Sequence, residues 1–366
     1  MCMKRMLFLL CFVYVMCGKT LYAQHNTYAY ELETKLHYGT ILPHYSFLNY
    51  LVEEPQKSIE IQLRKASDYT TISSSLFRFP SYGIGYTHTF LGNSEKLGSA
   101  SLLFAVLDIP IINTARWALL YQCNFGAAYI YKPLSKSIFN IAMSSPFNFF
   151  VGLDLQVAYR FTHNQTCKLG VEMSHISNGK IHTPNLGLNS LTFSAAYQYS
   201  FTPMCKERVY YNRRTLAAPM LYSAFVSGGV KTDEYLNSTL FPTSSFVFEI
   251  QKLIWYTYGF TIGVDMFYDA SKALHTNKQT AFSAGIHTGV EVYYMPFSFL
   301  MHIGMYTFHA HAEHQFFNRI ALRYHAKQSY CIQLGLKAHV TTADFLEIGV
   351  GYTFPNIRNN NNEAKK

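Results

Sequence analysis

Residues 346–354 read LEIGVGYTF, and this stretch carries the pattern that decides the fold. Ile348, Val350 and Tyr352 alternate with Glu347 and with small residues. Strict alternation with a period of two places successive side chains on opposite faces of an extended strand. The stretch therefore predicts a β-strand with one apolar and one polar face.

The same alternation recurs upstream. In residues 332–340, Leu334 and Leu336 share one face while Gln333 and Lys337 take the other. Similar segments are 34–44, 57–65, 81–90, 98–111, 116–131, 148–160, 166–177, 190–201, 221–231, 244–254, 257–269, 280–294, 298–308 and 319–324. We therefore expect about 12–16 strands, since a bacterial barrel prefers an even number.

A soluble β-sandwich would also alternate, so strand length and composition decide between the two classes. Strands of about nine to twelve residues suit a tilted crossing of a hydrocarbon layer. Aromatic residues make up 16% of the chain and charged residues only 14%, and aromatic girdles line membrane barrels. The last strand ends in Phe354, an aromatic terminus like the sorting signal of outer-membrane proteins. The sequence predicts an all-β protein, an antiparallel transmembrane β-barrel.

The N-terminus predicts export. Two basic residues precede the apolar stretch Met6–Met16, and Ala23 offers a small residue for signal peptidase. Residues 1–23 are therefore expected to be a cleaved signal peptide. A lipoprotein would use Cys17 instead, but the bulky residue before it disfavours lipidation.

We expect a single barrel over residues 24–354 in the bacterial outer membrane, followed by a polar tail, 355–366. The polar stretch Cys205–Arg214 is a candidate connection between two halves of the barrel. Four cysteines remain after signal removal, and spacing alone leaves open whether they pair or serve as small wall side chains. They are Cys123, Cys167, Cys205 and Cys331.

The net charge of +9 is mild, and the basic residues are scattered. A nucleic-acid partner would require a basic stripe with a reading element, so none is expected. We expect no metal and no other cofactor. His309, His311 and His314 resemble a solvated turn more than a metal site, and Asp265 and Asp269 are interpreted as charges facing a barrel lumen.

One hairpin carries residues of catalytic type on an unusual face. In the strand that ends near residue 177, Val171 and Met173 lie on the apolar face, and by parity His175 and Ser177 share it. A base and a nucleophile would then lie side by side where the wall faces lipid. The alternative is that the strand leaves the membrane at His175, after which polar residues are ordinary.

The following loop favours the catalytic interpretation. Asn178-Gly179 turns the chain, Asn185 and Gly187 constrain the return, and Asn189 begins the next strand. Hairpin pairing would bring Asn189 near His175. Glu172 has the opposite parity and points into the barrel, so it cannot supply an acid here.

The His-x-Ser-Asn-Gly and Pro-Asn-x-Gly-x-Asn runs resemble the signature of the lipid A 3-O-deacylase family, which includes larger acyloxyacyl hydrolases. The likeness is sharp in this hairpin and looser over about 36–200, where residues 39–44 also resemble the larger homologues. It implies Ser177 as nucleophile, His175 as general base and Asn185 as oxyanion donor. Either Asn178 or a nearby backbone N–H is a candidate second oxyanion donor. The smaller family members have Glu where this chain has Asn189.

The resemblance implies an outer-membrane carboxylic ester hydrolase that removes an ester-linked acyl chain from lipid A or a related glycolipid. The alternative is a non-enzymatic barrel: a channel, a carrier of hydrophobic solutes or a structural protein. An esterase needs Ser177 and His175 for turnover, whereas a channel conducts without Ser177 and a carrier binds fatty acid without consuming it.

Overall fold

The computed structural model describes residues 30–354 except 68, 202–208, 212–218, 234–238, 255–256, 275–280, 310–313, 327–328 and 341. The predicted signal peptide, the polar tail, Cys205 and His311 lie outside the described residues, as does the side chain of His309. Cys123, Cys167 and Cys331 are free thiols.

Sixteen antiparallel strands account for most of the described chain. They are β1 Tyr30–Ile41, β2 Gln56–Ala66, β3 Ser81–Phe90, β4 Ser99–Asn113, β5 Trp117–Ile130, β6 Phe147–Arg160, β7 Gln165–Ser177, β8 Leu188–Ser200, β9 Met220–Thr232, β10 Leu240–Ile254, β11 Tyr258–Asp269, β12 Phe282–Tyr294, β13 Phe297–His309, β14 Phe316–His325, β15 Tyr330–His339 and β16 Thr342–Phe354. Each strand overlaps one of the sixteen segments identified by alternation, and the antiparallel β-barrel fold is confirmed.

The expectation of a single barrel is wrong, because the strands close into two barrels of eight. The N-terminal barrel (β1–β8) closes where β1 pairs with β8, with Glu31 opposite Ser200. The C-terminal barrel (β9–β16) closes where β16 pairs with β9, with Phe354 opposite Tyr222. Alternation assigns each residue to a face but does not say which distant strands pair, so closure could not be predicted from the pattern.

Eight-stranded barrels have narrow interiors that side chains can fill, and charged networks fill both of these. In the N-terminal barrel, Lys35 Nζ lies 2.9 Å from Gln122 Oε1 and 3.1 Å from Asp154 Oδ2, across the lumen. In the C-terminal barrel, Arg319 contacts Asp265 at 2.6 Å. Such contacts across the lumen are possible only in a narrow barrel.

The outer walls are apolar. On β7, for example, Leu169 and Met173 are 68% and 56% exposed, whereas Glu172 between them is buried and hydrogen-bonds with Asn124. This is the face distribution of a barrel in lipid. In the described part of the chain, three short helical segments lie outside the strands, at Ser46–Leu51, Ile72–Leu76 and Ala270–Leu274. No helix among the described residues has both the length and the hydropathy of a membrane span.

The two barrels follow one another in the chain, and they touch at both ends. Most of the stretch Cys205–Arg214 lies outside the described residues. The rings of Phe77 and Tyr294 meet edge to face at 5.3 Å. At the other end, which we call the site end because β7 ends there and β8 begins, the backbone N–H of Thr232 donates to the carbonyl of Lys180 at 3.1 Å. The barrels therefore lie side by side.

The site end of the N-terminal barrel is closed by apolar side chains rather than by ion pairs. Leu48 and Leu51 from the β1–β2 loop pack there with Phe150, Ile176 and Leu188. This packed end holds the tips of β7 and β8 in place.

Candidate active site

The structure places His175 and Ser177 as their parity predicts. Ile176 is buried in the apolar core, so the side chains on either side of it point outwards. His175 is exposed and Ser177 half-buried. Their outward neighbours on β6 are Val151 and Phe149, which lie opposite them in the register. The two candidate catalytic side chains therefore lie on the outer wall, among apolar residues.

His175 and Asn189 form a directly opposed pair on β7 and β8. His175 Nδ1 lies 2.6 Å from Asn189 Oδ1. A carbonyl oxygen only accepts, so Nδ1 must carry the proton in this bond, and Nε2 keeps its lone pair. This is the tautomer that a general base needs. The return of the hairpin brings the two residues together, as predicted from the sequence.

Ser177 lies two residues beyond His175 on the same face. Among the hydrogen bonds of the described residues, none joins Ser177 Oγ to the His175 ring. Catalytic hydrogen bonds are often long in substrate-free enzymes and tighten in the complex. The structure brings Ser177, His175 and Asn189 to one patch of wall but does not pair the first two.

A second histidine contacts Asn189 from the β1–β2 loop. The backbone N–H of Leu42 donates to the backbone carbonyl of Asn189 at 2.8 Å, which extends the β1–β8 pairing by one residue. Asn189 Nδ2 then lies 3.4 Å from His44 Nδ1. Partial burial and the nearby His175 ring lower the pKa of His44, which favours the neutral form that can accept this bond. His44 belongs to residues 39–44, whose likeness to the larger homologues gave no role for this histidine.

The two remaining candidates occupy the loop between β7 and β8. Asn185 Oδ1 accepts from the backbone N–H of Asn178 at 3.1 Å, which leaves the Asn185 amide N–H groups available to a ligand. The Asn178 side chain is buried, and its Nδ2 donates to Ser144 Oγ, Ser145 Oγ and the His182 carbonyl at 3.0–3.2 Å. The Asn178 side-chain donors therefore hold the loop in this structure, and Asn185 is the better placed of the two oxyanion candidates.

Gly187 allows the loop to return close to His175. Its φ of +74° suits glycine, and an added Cβ would lie 2.7 Å from His175 Cε1. The Gly187 N–H also donates to the Ala142 carbonyl at 3.1 Å. A loop from β5–β6 thus fixes the strand that carries Asn189, while the missing side chain leaves space for the imidazole.

The C-terminal barrel contacts the other side of the same loop. Thr232 Oγ1 and the Thr232 N–H both donate to the Lys180 carbonyl, at 3.3 and 3.1 Å. A Cβ on Gly179, which has φ +62°, would lie 2.3 Å from Leu346 Cδ1. The turn after Ser177 is therefore held between the two barrels. Nothing in the linear sequence pointed to this contact.

Apolar surface surrounds the site. A small pocket beside Asn189 is lined by Ile41, Leu42, Pro43, His44, Leu48, Leu51, Gly187 and Leu188. Exposed aromatic side chains of the β1–β2 loop lie nearby, where Tyr45 and Phe47 stack at 5.3 Å. The polar side chains of His175, Ser177, Asn189 and His44 are thus surrounded by a largely apolar surface.

Two family models match the chain, one for each barrel. The model of lipid A 3-O-deacylase matches residues 60–198, and the model of the acyloxyacyl hydrolase C-terminal domain matches residues 220–356. The first match includes the whole β7–β8 hairpin, and together the two cover more than half of the chain. The chain belongs to the lipid A 3-O-deacylase family.

Solved structures similar to this deacylase-family chain are outer-membrane barrels, and no curated protein matches it. The outer-membrane enzyme PagL shares 14% identity, covers 45% of this chain and 97% of its own, and has a TM-score of 0.33. Neisserial surface protein A shares 13% identity over 47% of this chain and 99% of its own, with a TM-score of 0.32. The toluene transporter TodX of Pseudomonas putida shares 10% identity over 91% of both chains, with a TM-score of 0.19. Because these three TM-scores are low, the assignment to an outer-membrane deacylase family rests on the two family models.

Proposed function

We propose that this protein is an outer-membrane esterase that removes an ester-linked acyl chain from lipid A or a related glycolipid, using Ser177 and His175. The observation that carries the proposal is the hydrogen bond between His175 and Asn189 on the outward face of the N-terminal barrel, beside Ser177. A soluble protein would have no use for a base and a nucleophile on an apolar wall. An enzyme that meets its substrate within the membrane needs them there.

The first half of the reaction transfers the acyl chain to the enzyme. His175 Nε2 takes the proton from Ser177 Oγ, which attacks the ester carbonyl carbon. The carbonyl oxygen becomes an oxyanion, stabilised by the Asn185 amide N–H. The tetrahedral intermediate then expels the sugar oxygen, which leaves as a hydroxyl with the proton held on His175.

The second half releases the fatty acid. A water molecule gives a proton to His175 Nε2 and attacks the acyl-enzyme carbonyl. When this intermediate collapses, Ser177 Oγ leaves and recovers the proton from His175. The fatty acid and the free enzyme result, with no net change in the enzyme's protons.

Asn189 takes the place of the acid in this arrangement. An amide cannot neutralise an imidazolium by charge, and it can also present its NH₂ group to the histidine, which would impose the wrong tautomer. Here His44 Nδ1 lies near the Asn189 NH₂ group, so the carbonyl oxygen faces His175. We assign His44 as a positioning residue that fixes the orientation of the Asn189 amide. Asn189 can then orient His175 as the third member of a Ser-His-Asn triad, much as Asn orients His in papain-like proteases.

The lumens give little support to a channel or carrier. Arg64 and Lys35 in the N-terminal barrel, and Arg319 and Lys337 in the C-terminal barrel, are among the most deeply buried side chains. Arg64 on β2 and Arg319 on β14 are ion-paired across the interior, with Asp108 on β4 and Asp265 on β11, both at 2.6 Å. Filled interiors favour chemistry on the outer wall over transport through the lumen.

Mass spectrometry of lipid A from outer membranes that contain the protein tests the proposal. Wild type is compared with Ser177→Ala and His175→Ala. Ser244→Ala is the matched control, because Ser244 also faces outwards, but on β10 of the C-terminal barrel. All four proteins are checked for folding by the heat-dependent shift of barrels on gels.

We expect lipid A lacking one acyl chain with wild type and Ser244→Ala, and intact lipid A with the other two. Intact lipid A in all four membranes would overturn lipid A as substrate. Equal deacylation by Ser177→Ala and wild type would overturn the site.

A further inference from the structure

The lumen of the C-terminal barrel contains a cluster of potential metal ligands, far from the candidate active site. Glu249 on β10, His287 on β12 and His302 on β13 are all buried. One donor atom from each lies within 4.8 Å of the other two. His302 Nε2 is 3.9 Å from Glu249 Oε2, and the two imidazole rings stack at 4.2 Å.

The ring nitrogens of this cluster lack the partners that buried polar atoms normally have. His287 Nε2 and both nitrogens of His302 have no hydrogen-bond partner within the described part of the chain. His287 Nδ1, by contrast, lies 2.5 Å from Asp265 Oδ2. That bond leaves Nε2 with a lone pair, which is the carboxylate–histidine arrangement that orients a metal ligand.

The N-terminal barrel provides an internal comparison. His37, Glu60 and Glu172 are also buried within ligand distance of one another. There, however, His37 Nδ1 is 3.3 Å from Thr192 Oγ1 and Nε2 is 3.2 Å from Glu60 Oε2. Both nitrogens are satisfied by the protein, so that cluster needs no ion. Only the C-terminal cluster, among the described residues, combines close ligands with unpartnered imidazole nitrogens.

Two glycines provide space for the imidazoles. A Cβ on Gly263 would lie 2.4 Å from His287 Cε1, and one on Gly289 would lie 2.6 Å from His302 Cδ2. Both glycines lie on strands of the C-terminal barrel and have ordinary backbone angles, so no turn requires them. Because Gly263 and Gly289 have no side chains, the lumen has room beside them for the two stacked imidazole rings.

The charges around the cluster also favour a cation. Arg319 contacts Asp265 and Glu347, and Arg323 contacts Glu249 and Glu291, all within 3.1 Å. Four buried carboxylates thus share two guanidinium groups. Burying uncompensated charge is costly, and a divalent cation would offset part of the negative charge of these four carboxylates. Arg319 and Arg323 are the cations that face the cluster, and each already donates hydrogen bonds to carboxylates.

We propose that Glu249, His287 and His302 bind one divalent transition-metal ion of the zinc class inside the C-terminal barrel. Two imidazole nitrogens and one carboxylate oxygen are a donor set typical of Zn²⁺, and of Fe²⁺, Ni²⁺ and Cu²⁺. The ion would tie β10 to β12 and β13 across the lumen and stabilise the barrel. This site is independent of the proposed esterase, so either can fail without the other.

Metal content of the full-length protein, folded in detergent, tests the proposal. The protein is stripped with a chelator, incubated with Zn²⁺ or Co²⁺, desalted, and analysed by inductively coupled plasma mass spectrometry and Co²⁺ absorption. Variants are His287→Gln and His302→Gln. The matched control is His325→Gln, because His325 is also in the C-terminal barrel but lies 2.8 Å from Ser298 Oγ. His37→Gln controls for the N-terminal cluster.

We expect about one ion per chain in wild type and both controls, and less than about a tenth of that in the two ligand variants. Asp265→Asn keeps all three ligands and should weaken binding by about 10–100-fold, which provides a test if a ligand variant does not fold. Metal-free folded wild type would overturn the proposal. So would equal metal content in wild type, Asp265→Asn and any folded ligand variant.

Discussion

The seventh and eighth strands of the two barrels form equivalent hairpins with opposite chemistry. In the N-terminal barrel, β7 and β8 are joined by residues 178–187, and His175 points outwards to Asn189. In the C-terminal barrel, β15 and β16 are joined by residues 340 and 341, and His339 lies 3.0 Å from the hydroxyl of Tyr306 and 3.9 Å from Asp344. One histidine lies on the outer wall and the other at the rim of the lumen.

We interpret the difference as one of face and loop rather than of fold, because function depends on the site that a fold carries. Both barrels have apolar walls and ion-paired interiors. Within the described ranges, only the N-terminal barrel has an outward histidine, a serine on the same face, and a ten-residue loop that brings Asn185 and Gly187 back over them. The C-terminal barrel instead contacts that loop at Lys180 and Gly179. We interpret it as a support for the proposed catalytic hairpin.

The largest effect in this comparison should come from Asn189. Asn189→Leu removes the acceptor of His175 Nδ1–H and should lower kcat for deacylation by about 10²–10⁴-fold. Asn318→Leu, on β14 of the C-terminal barrel, should leave kcat unchanged. Asn189→Asp should raise kcat, because a carboxylate stabilises the imidazolium. Purified proteins are assayed on lipid A micelles. A fully active Asn189→Leu enzyme would remove this residue from the site.

Glycine substitutions compare the same change in the two barrels. Gly187→Ala forces a methyl group against the His175 ring and should lower kcat by about 10–100-fold through misplacement of the base. Gly228→Ala is the matched control in β9, since its added Cβ meets nothing closer than 3.8 Å. Both proteins are assayed for deacylation and for thermal stability. Equal activity of the two variants would argue against close packing of Gly187 on the base.

The proposed support by the C-terminal barrel predicts a smaller effect. Thr232→Val removes one hydrogen bond to the Lys180 carbonyl, an interaction of about 0.5–1.5 kcal/mol, and should lower kcat by roughly 2–10-fold. Thr288→Val loses a similar bond, from Thr288 Oγ1 to the Thr261 carbonyl at 3.1 Å, far from the site. Its kcat should match wild type. If both variants lose activity equally, the effect is one of general stability.

The smallest effect should appear in the pH dependence. The pKa of His44 is lowered, so the residue stays neutral to lower pH than a free histidine. As pH falls through that lowered pKa, Nδ1 gains a proton and can no longer accept from Asn189. His44→Gln retains an acceptor that does not titrate, so its kcat should decline less steeply in acid than that of wild type. His182→Gln should retain the wild-type profile, and identical profiles for all three would exclude a role for His44.

Alternation located all sixteen strands because the period of two is a local property of each segment. It also placed His175 and Ser177 outwards, and hairpin geometry brought Asn189 beside His175. Long-range pairing was not predictable: β1 meets β8 about 155 residues later, as at His37 and Thr192. For the same reason the sequence revealed neither the contact of Thr232 with Lys180 nor the cluster of Glu249, His287 and His302.

Covalent labelling of Ser177 measures whether this serine is an activated nucleophile. Folded wild type is treated with a fluorophosphonate, digested and analysed by peptide mass spectrometry, beside His175→Ala and Ser244→Ala. An activated serine should be phosphonylated at Ser177 in wild type and Ser244→Ala, and unlabelled in His175→Ala. Unlabelled Ser177 in a folded wild type, or equal labelling in His175→Ala, would contradict the assignment of this hairpin as a serine esterase site.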